Sequence, residues 1–95
     1  MPKLAIIRRI YFLPGREADG VRWLAETEPR RRAAGQEAQY LLRGQIDTHE
    51  YLWVQIWESY AAYERWRRSD ERSELAAQRG RFMTHHPTRM FDVLE

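Results

Sequence analysis

The spacing of hydrophobic side chains changes from that of a strand to that of a helix within residues 50–70. Residues 51–57 alternate between the two faces of a strand, and aromatic or branched side chains occupy most of both faces. Because both faces are apolar, we expect this strand to be covered on both sides. Helical spacing follows, since Ala62, Tyr63 and Trp66 share one helix face and Ser59 stands at the N-cap position. We therefore expect a helix over one face of the sheet and a second copy of the chain over the other.

The same patterns divide the rest of the chain into elements. Alternation predicts strands over residues 4–13, 36–44 and 88–94, and a polar turn at 44–49 predicts a hairpin between the second and third strands. Residues 82–87 are expected to form a loop. Ser69 is the predicted N-cap of a further helical piece that ends near Gly80.

The first helix is predicted to begin near residue 16, after the Pro14-Gly15 turn, and to end at Gly35. Pro29 is expected either to kink this helix or to start a short new one, because proline lacks a backbone donor and clashes one turn back. Trp23 is expected on the flank of the buried stripe. The residues predicted for that stripe are Ala18, Val21, Leu24 and Ala25.

The order of elements is strand, helix, strand, strand, helix, strand. Sequential pairing and right-handed crossovers predict an α+β, ferredoxin-like fold with a four-stranded antiparallel sheet and the helices on one face. The length of 95 residues predicts one domain over residues 1–95.

Composition strengthens the expectation of a covered surface. Four Trp, five Tyr and three Phe are more large aromatic side chains than a monomer of this size hides easily, which favours a subunit interface or a ligand pocket. The chain has no Cys, so disulfides and thiolate chemistry are excluded. No apolar run is long enough to span a membrane, and Arg8 and Arg9 interrupt the N-terminal apolar run, so we expect a cytoplasmic protein without a membrane partner.

The charges do not point to a nucleic acid. The net charge is +2, and acidic residues lie close to the arginine clusters at 30–32 and 65–68. We therefore interpret both clusters as ordinary solvated faces and predict no nucleic-acid partner. His85 and His86 are adjacent without a carboxylate at ligand spacing, so no metal site is expected there; they are interpreted as loop residues, or one of them as part of a pocket wall.

Two features are open to more than one interpretation. Arg8 and Arg9 place a cation on each face of an apolar strand. Such an arginine either reaches water or a carboxylate near the sheet end, or it is held inside a pocket to bind an anionic ligand. Tyr63 and Trp66 in the same way belong either to the core or to the wall of a cavity.

The chain resembles the antibiotic biosynthesis monooxygenase (ABM) domains of the dimeric α/β-barrel superfamily. The resemblance lies in Leu13-Pro14-Gly15-Arg16-Glu17, in the hairpin, and in Trp57-Glu58-Ser59 followed by Ala62-Tyr63, Trp66 and Ser69. It covers nearly the whole chain and is more specific for fold than for activity. It implies a homodimer whose two sheets face each other as a barrel, with a pocket between sheet and helices in each subunit.

Family members include cofactor-free oxygenases of quinols and anthrones as well as heme-degrading enzymes. The heme-degrading branch carries an Asn, a Trp and a His where this chain has Arg8, Trp66 and Ala76, so the resemblance supplies no heme ligand. Many other members carry a His where this chain has Trp66, and another His where it has Glu71.

The resemblance therefore implies a cofactor-independent monooxygenase that acts on a small aromatic molecule of quinol or anthrone type, with neither cofactor nor metal. Arg8 is expected to stabilise the substrate anion, and Trp66 and Tyr63 to stack on it. Trp23, Tyr40 and His86 are further candidates for the pocket wall. The alternative is a non-catalytic ligand-binding or accessory protein on the same fold, including a NIPSNAP-like relative, because no acid–base pair is evident.

Overall fold

The computed structural model describes residues 2–95, which form three helices and five strands. The strands are β1 (Lys3–Phe12), β2 (Gln36–Arg43), β3 (Tyr51–Trp57), β4 (Met83–His85) and β5 (Arg89–Val93). The helices are α1 (Glu17–Ala34), α2 (Tyr60–Arg67) and α3 (Asp70–Arg79).

The sheet is antiparallel throughout and has the order β2-β3-β1-β4, with β5 also paired to β1. The predicted ferredoxin-like arrangement is confirmed, but the last strand is divided in two. β4 pairs with the end of β1 at residues 10–12 and β5 with its start at residues 3–7. Pro87 lies in the break, where proline cannot donate to a ladder. The prediction of a loop over residues 82–87 was therefore wrong for Met83–His85, which form β4.

The buried face of α1 differs from the predicted stripe. Ala18, Val21 and Ala25 are exposed, so their assignment to the core was wrong. The prediction failed because the inward face carries small and polar residues that hydropathy does not mark. The buried residues of α1 are Gly20, Trp23, Leu24, Thr27 and Arg31, so Leu24 is the one predicted stripe residue that lies in the core, and Trp23 is buried rather than on the flank. Gly20 faces the ring of Phe12 so closely that a β-carbon would collide with it, so a larger residue there would force the Phe12 ring to move.

The helix boundaries follow local chemistry. α1 continues through Pro29, which excludes the second of the two alternatives expected there, a restarted helix. Gly35, with φ at 122°, caps its C-terminus as predicted. The serines predicted as N-caps both act as caps: the Oγ of Ser59 accepts from the N–H of Ala62, and the Oγ of Ser69 accepts from the N–H of Arg72.

The two faces of the sheet have different environments. Helices cover the face that carries Ile6, Ile10 and Trp57, which are fully buried. The opposite face carries no element of this chain among residues 2–95, although it is largely apolar. Its side chains include Ile7, Tyr40, Leu42, Leu52, Val54, Ile56 and Phe91. None of the described helices is long and apolar enough to cross a membrane.

Candidate functional site

A cavity of about 20 Å³ lies between the helix-covered face of the sheet and the three helices. This volume holds about one water molecule. The sheet supplies the floor, α1 and α2 supply two sides, and α3 closes the top. The lining residues are Arg8, Trp23, Arg31, Trp53, Gln55, Tyr63, Trp66, Arg72, Leu75, Ala76 and Arg79.

Arg8 is the cation of the cavity floor. It is 6% exposed, and its Nε donates to the hydroxyl of Thr88 at 2.8 Å while its Nη2 donates to the hydroxyl of Tyr63 at 3.3 Å. Burial lowers the pKa of Arg8 below its ordinary value. Arg9, on the other face of the same strand, forms an ion pair with Glu50 at 3.1 Å. Arg9 is therefore the arginine that reaches a carboxylate, and Arg8 is the one held inside a pocket.

Arg31 reaches the same floor from α1. Its Nη1 donates to Thr27 at 2.8 Å, and its Nη2 donates to the Leu24 carbonyl and to the side-chain oxygen of Gln39, both at 2.8 Å. Burial lowers the pKa of Arg31 to about 10, so the side chain stays charged at neutral pH.

Both of these cations lie close to the ring of Trp53. It is the cross-strand partner of Arg8, and the guanidinium carbons of Arg8 and Arg31 lie 5.4 and 5.0 Å from its ring centre. The indole N–H of Trp53 donates to Gln39 at 3.0 Å, which is the oxygen that also binds Arg31. One glutamine on β2 therefore orients both the aromatic ring and the cation above it.

The aromatic side of the cavity comes from α2. Tyr63 and Trp66 are one helical turn apart and pack against the buried Trp57, with ring centres 5.5 and 6.1 Å from its ring. Trp23 on α1 completes this wall, and its indole N–H donates to Gln78 on α3 at 3.0 Å. The rings are thus fixed by packing and hydrogen bonds before any ligand binds.

The structure brings together four of the six residues predicted for the site. Arg8, Trp23, Tyr63 and Trp66 line one cavity. The two others lie on the opposite, helix-free face of the sheet: Tyr40 is 56% exposed, and His86 borders an open depression beside Arg9 and Phe91. Within residues 2–95, no three potential metal ligands among His, Cys, Asp and Glu come together.

Sequence reasoning missed three further arginines of the cavity. Arg31, Arg72 and Arg79 all line it, and Arg31 is 2% exposed, so the interpretation of residues 30–32 as a solvated face was wrong for its middle member. The signal was its helical phase, because Arg31 lies four residues after Thr27 and eight after Trp23 on one face of α1. Because residues 30–32 are all arginine, the sequence alone does not show that the middle one lies on the buried face.

His85 is connected to the cavity through Arg79. The Nη2 of Arg79 lies 3.1 Å from the Nε2 of His85, and the Nδ1 of His85 lies 2.9 Å from the His86 carbonyl. A guanidinium can only donate, so Nε2 accepts and Nδ1 carries the proton. The imidazole is therefore neutral in this arrangement. Burial lowers the pKa of His85, and the charges of Arg79, Arg8 and Arg72 act in the same direction, against the bond to His86.

We expect His85 to titrate below its ordinary value of 6.5 in the folded protein. Because the unfolded chain binds the proton first, this residue stabilises the fold above about pH 6.5, and that contribution is lost as the pH falls through the lowered pKa. An NMR titration of the ring protons measures the midpoint. Arg79→Met should raise it, and a wild-type midpoint at or above 6.5 would contradict the assignment.

The fold and the cavity agree with a comparison against known families. The family model described as antibiotic biosynthesis monooxygenase matches residues 4–78. The chain belongs to this family. The resemblance to ABM domains that the sequence analysis identified is thereby confirmed, and the cavity lies between the sheet and helices of an ABM domain.

Solved structures of ABM-like proteins share the fold over the full chain. SnoaB, a cofactor-independent oxygenase from Streptomyces nogalater, is 17% identical with a TM-score of 0.84, and the match covers 100% of this chain and 96% of SnoaB. A Bordetella bronchiseptica protein with the same family description is 24% identical with a TM-score of 0.81, covering 100% and 98% of the two chains. At these identities the likeness is one of fold. No curated protein sequence matches the chain.

Proposed function

We propose that this ABM protein is a cofactor-independent monooxygenase that oxidises a small aromatic molecule with O₂. The observation that carries the proposal is an aromatic cavity whose floor holds a buried cation, Arg8, without a carboxylate partner among residues 2–95. Such a cation stabilises negative charge on a ligand far more than it would in water, because the surroundings exclude solvent. The oxygenase description of SnoaB supports the same assignment.

The proposed reaction needs an electron-rich anion and a dry site. Arg8 and the hydroxyl of Tyr63 would stabilise the phenolate or enolate of the bound substrate, and Trp66 would stack on its ring. The anion passes one electron to O₂, and the resulting radical and superoxide combine at a ring carbon as a peroxide. Loss of water then leaves a new carbonyl. For an anthrone the balance is anthrone plus O₂ to anthraquinone plus water.

Oxygen uptake by metal-stripped protein, offered anthrones, naphthoquinols and catechols, tests this proposal. We expect uptake above the uncatalysed rate, and a loss of about 100-fold or more in Trp66→Ala, since this ring holds the substrate in place. Trp66 is 7% exposed, so its removal also costs about 3–5 kcal/mol of folding free energy, and circular dichroism must establish that the variant is folded. Trp66→Leu, which preserves more of the packing, separates the two effects.

Tyr60→Ala is the matched control, because Tyr60 is an aromatic residue on the same helix that is 54% exposed and lies outside the cavity. Its uptake should equal that of the wild type. Full activity in both Trp66 variants would contradict the role of the ring. No uptake with any substrate would favour the alternative of a binding or accessory protein without turnover.

We also infer that two copies of the chain associate through the bare face of the sheet. Apolar side chains from four strands lie there, and Tyr40 and Leu42 are about half exposed in the single chain. Exposed apolar surface of this extent is typical of an interface. A second copy presents the same flat surface, so a two-fold arrangement is self-complementary.

A further inference from the structure

The cavity wall carries more positive charge than a single phenolate requires. Four arginines line it, and the lining includes neither Asp nor Glu. The four are Arg8, Arg31, Arg72 and Arg79, and none forms an ion pair within residues 2–95. The arginines beside them on α1 are paired, since Arg30 binds Glu71 at 2.6 Å and Arg32 binds Glu28 at 3.2 Å. The chain therefore pairs its neighbouring arginines with carboxylates and leaves the cavity arginines without them.

Within residues 2–95, every hydrogen bond that the cavity arginines donate goes to a neutral group. Arg8 donates to two hydroxyl groups, and Arg31 to a hydroxyl, a carbonyl and an amide oxygen. The Nε of Arg31 is buried and has no hydrogen-bond partner. A buried donor without a partner is costly and rare in folded proteins.

The cavity face of α3 is arranged for a ligand with a charged group and an apolar body. Arg72, Leu75, Ala76 and Arg79 follow the spacing of one helix face, so the two guanidinium groups bracket a small apolar surface. The backbone positions of the two arginines are about 10 Å apart along the helix. Within residues 2–95, the Arg79 side chain donates only to the neutral His85. Burial lowers the pKa of Arg79 to about 10, and repulsion from Arg8 and Arg72 acts in the same direction.

We propose that the ligand of this cavity is an aromatic carboxylic acid, whose carboxylate binds Arg72 and Arg79 while its ring lies against Leu75 and the tryptophans. A carboxylate matches the fork of a guanidinium and supplies the charged acceptor that neither Arg72 nor Arg79 has within residues 2–95. That the ligand is aromatic rests on the proposed function, whereas that it carries a carboxylate is inferred from the arginines alone.

A cavity of about 20 Å³ holds no ring, so the proposal requires one of its walls to move when the ligand binds. Leu75 is the one residue of α3 that is fully buried. Polar contacts hold this helix to α1, namely Trp23 with Gln78 and Arg30 with Glu71. Such contacts break at small cost in water, so α3 is the wall that yields.

Equilibrium binding of 2-naphthoate and 2-naphthamide tests the proposal, with quenching of tryptophan fluorescence as the readout. The two probes have the same ring, and neither is a quinol, so turnover does not enter. We expect the carboxylate to bind at least about tenfold more tightly than the amide, as one charge-assisted contact predicts. In Arg72→Gln and in Arg79→Gln, this preference for the carboxylate over the amide should fall about tenfold, which brings a tenfold preference to unity. Arg81→Gln, an exposed position outside the cavity, should leave it unchanged.

Equal affinity for the two probes, no binding of 2-naphthoate at millimolar concentration, or an unchanged ratio in both cavity variants would each overturn the proposal. A preference for the carboxylate without oxygen uptake from any quinol would retain the acid site and remove the oxygenase. Oxygen uptake without a preference for the carboxylate would retain the oxygenase and remove the acid site. The two proposals therefore fail separately.

Discussion

Arg8→Met is expected to lower oxygen uptake about 100- to 1000-fold while leaving the domain folded, because it removes the buried charge that stabilises the substrate anion. Arg8 has no carboxylate partner within residues 2–95, and burial lowers its pKa, so its charge is a cost to the fold. Removing it leaves the hydroxyls of Thr88 and Tyr63 without a donor, at about 1 kcal/mol each. The two effects offset, and the free energy of unfolding should change by less than about 2 kcal/mol.

Steady-state oxygen uptake and urea unfolding on the same preparation measure both quantities. Arg65→Met is the matched control, since Arg65 is exposed on α2 and lies outside the cavity lining. It should change neither. An Arg8 variant that keeps full uptake would remove Arg8 from the mechanism. A variant that unfolds would assign Arg8 to the structure instead.

Val54→Asp is expected to convert the proposed dimer to a monomer. Val54 pairs with Ile7 on one side and Tyr40 on the other, so it lies in the middle of the bare apolar face. An aspartate there would be buried against the second copy without a partner, and two-fold symmetry would bury two of them. We expect dissociation to become at least about 100-fold easier, which is about 2.7 kcal/mol.

Light scattering at micromolar concentration distinguishes a mass near 11.5 kDa from twice that value. Val21→Asp is the matched control, because Val21 is 41% exposed on the outer side of α1 and far from this face in the fold. It should stay dimeric. A wild-type protein that is monomeric at this concentration would contradict the inference from the sheet face.

Local signals in the sequence were enough for the architecture. Alternation in residues 51–57, the serine caps and the glycine at the end of α1 each depend on neighbours within a few residues, and the structure has each of them where it was expected. The Trp57-Glu58-Ser59 segment and its continuation also carried the family resemblance that the family model confirms. Pro87, which divides the last strand, shows the limit, because Met83 pairs with β1 only through a contact distant in sequence.

The sequence by itself thus determined the fold class, the ferredoxin-like sheet and the family. It marked Arg8, Trp23, Tyr63 and Trp66 as pocket candidates, but it left open whether Arg8, Tyr63 and Trp66 face a cavity. Only the tertiary structure decided which cations face the cavity. Arg30 and Arg31 are identical in sequence character, yet the helix turns one toward Glu71 and buries the other over Trp53. In the same way, Arg72 and Arg79 line the cavity only because α3 packs over the sheet. Charge on a helix surface has no fixed role until packing determines whether water or another side chain surrounds it.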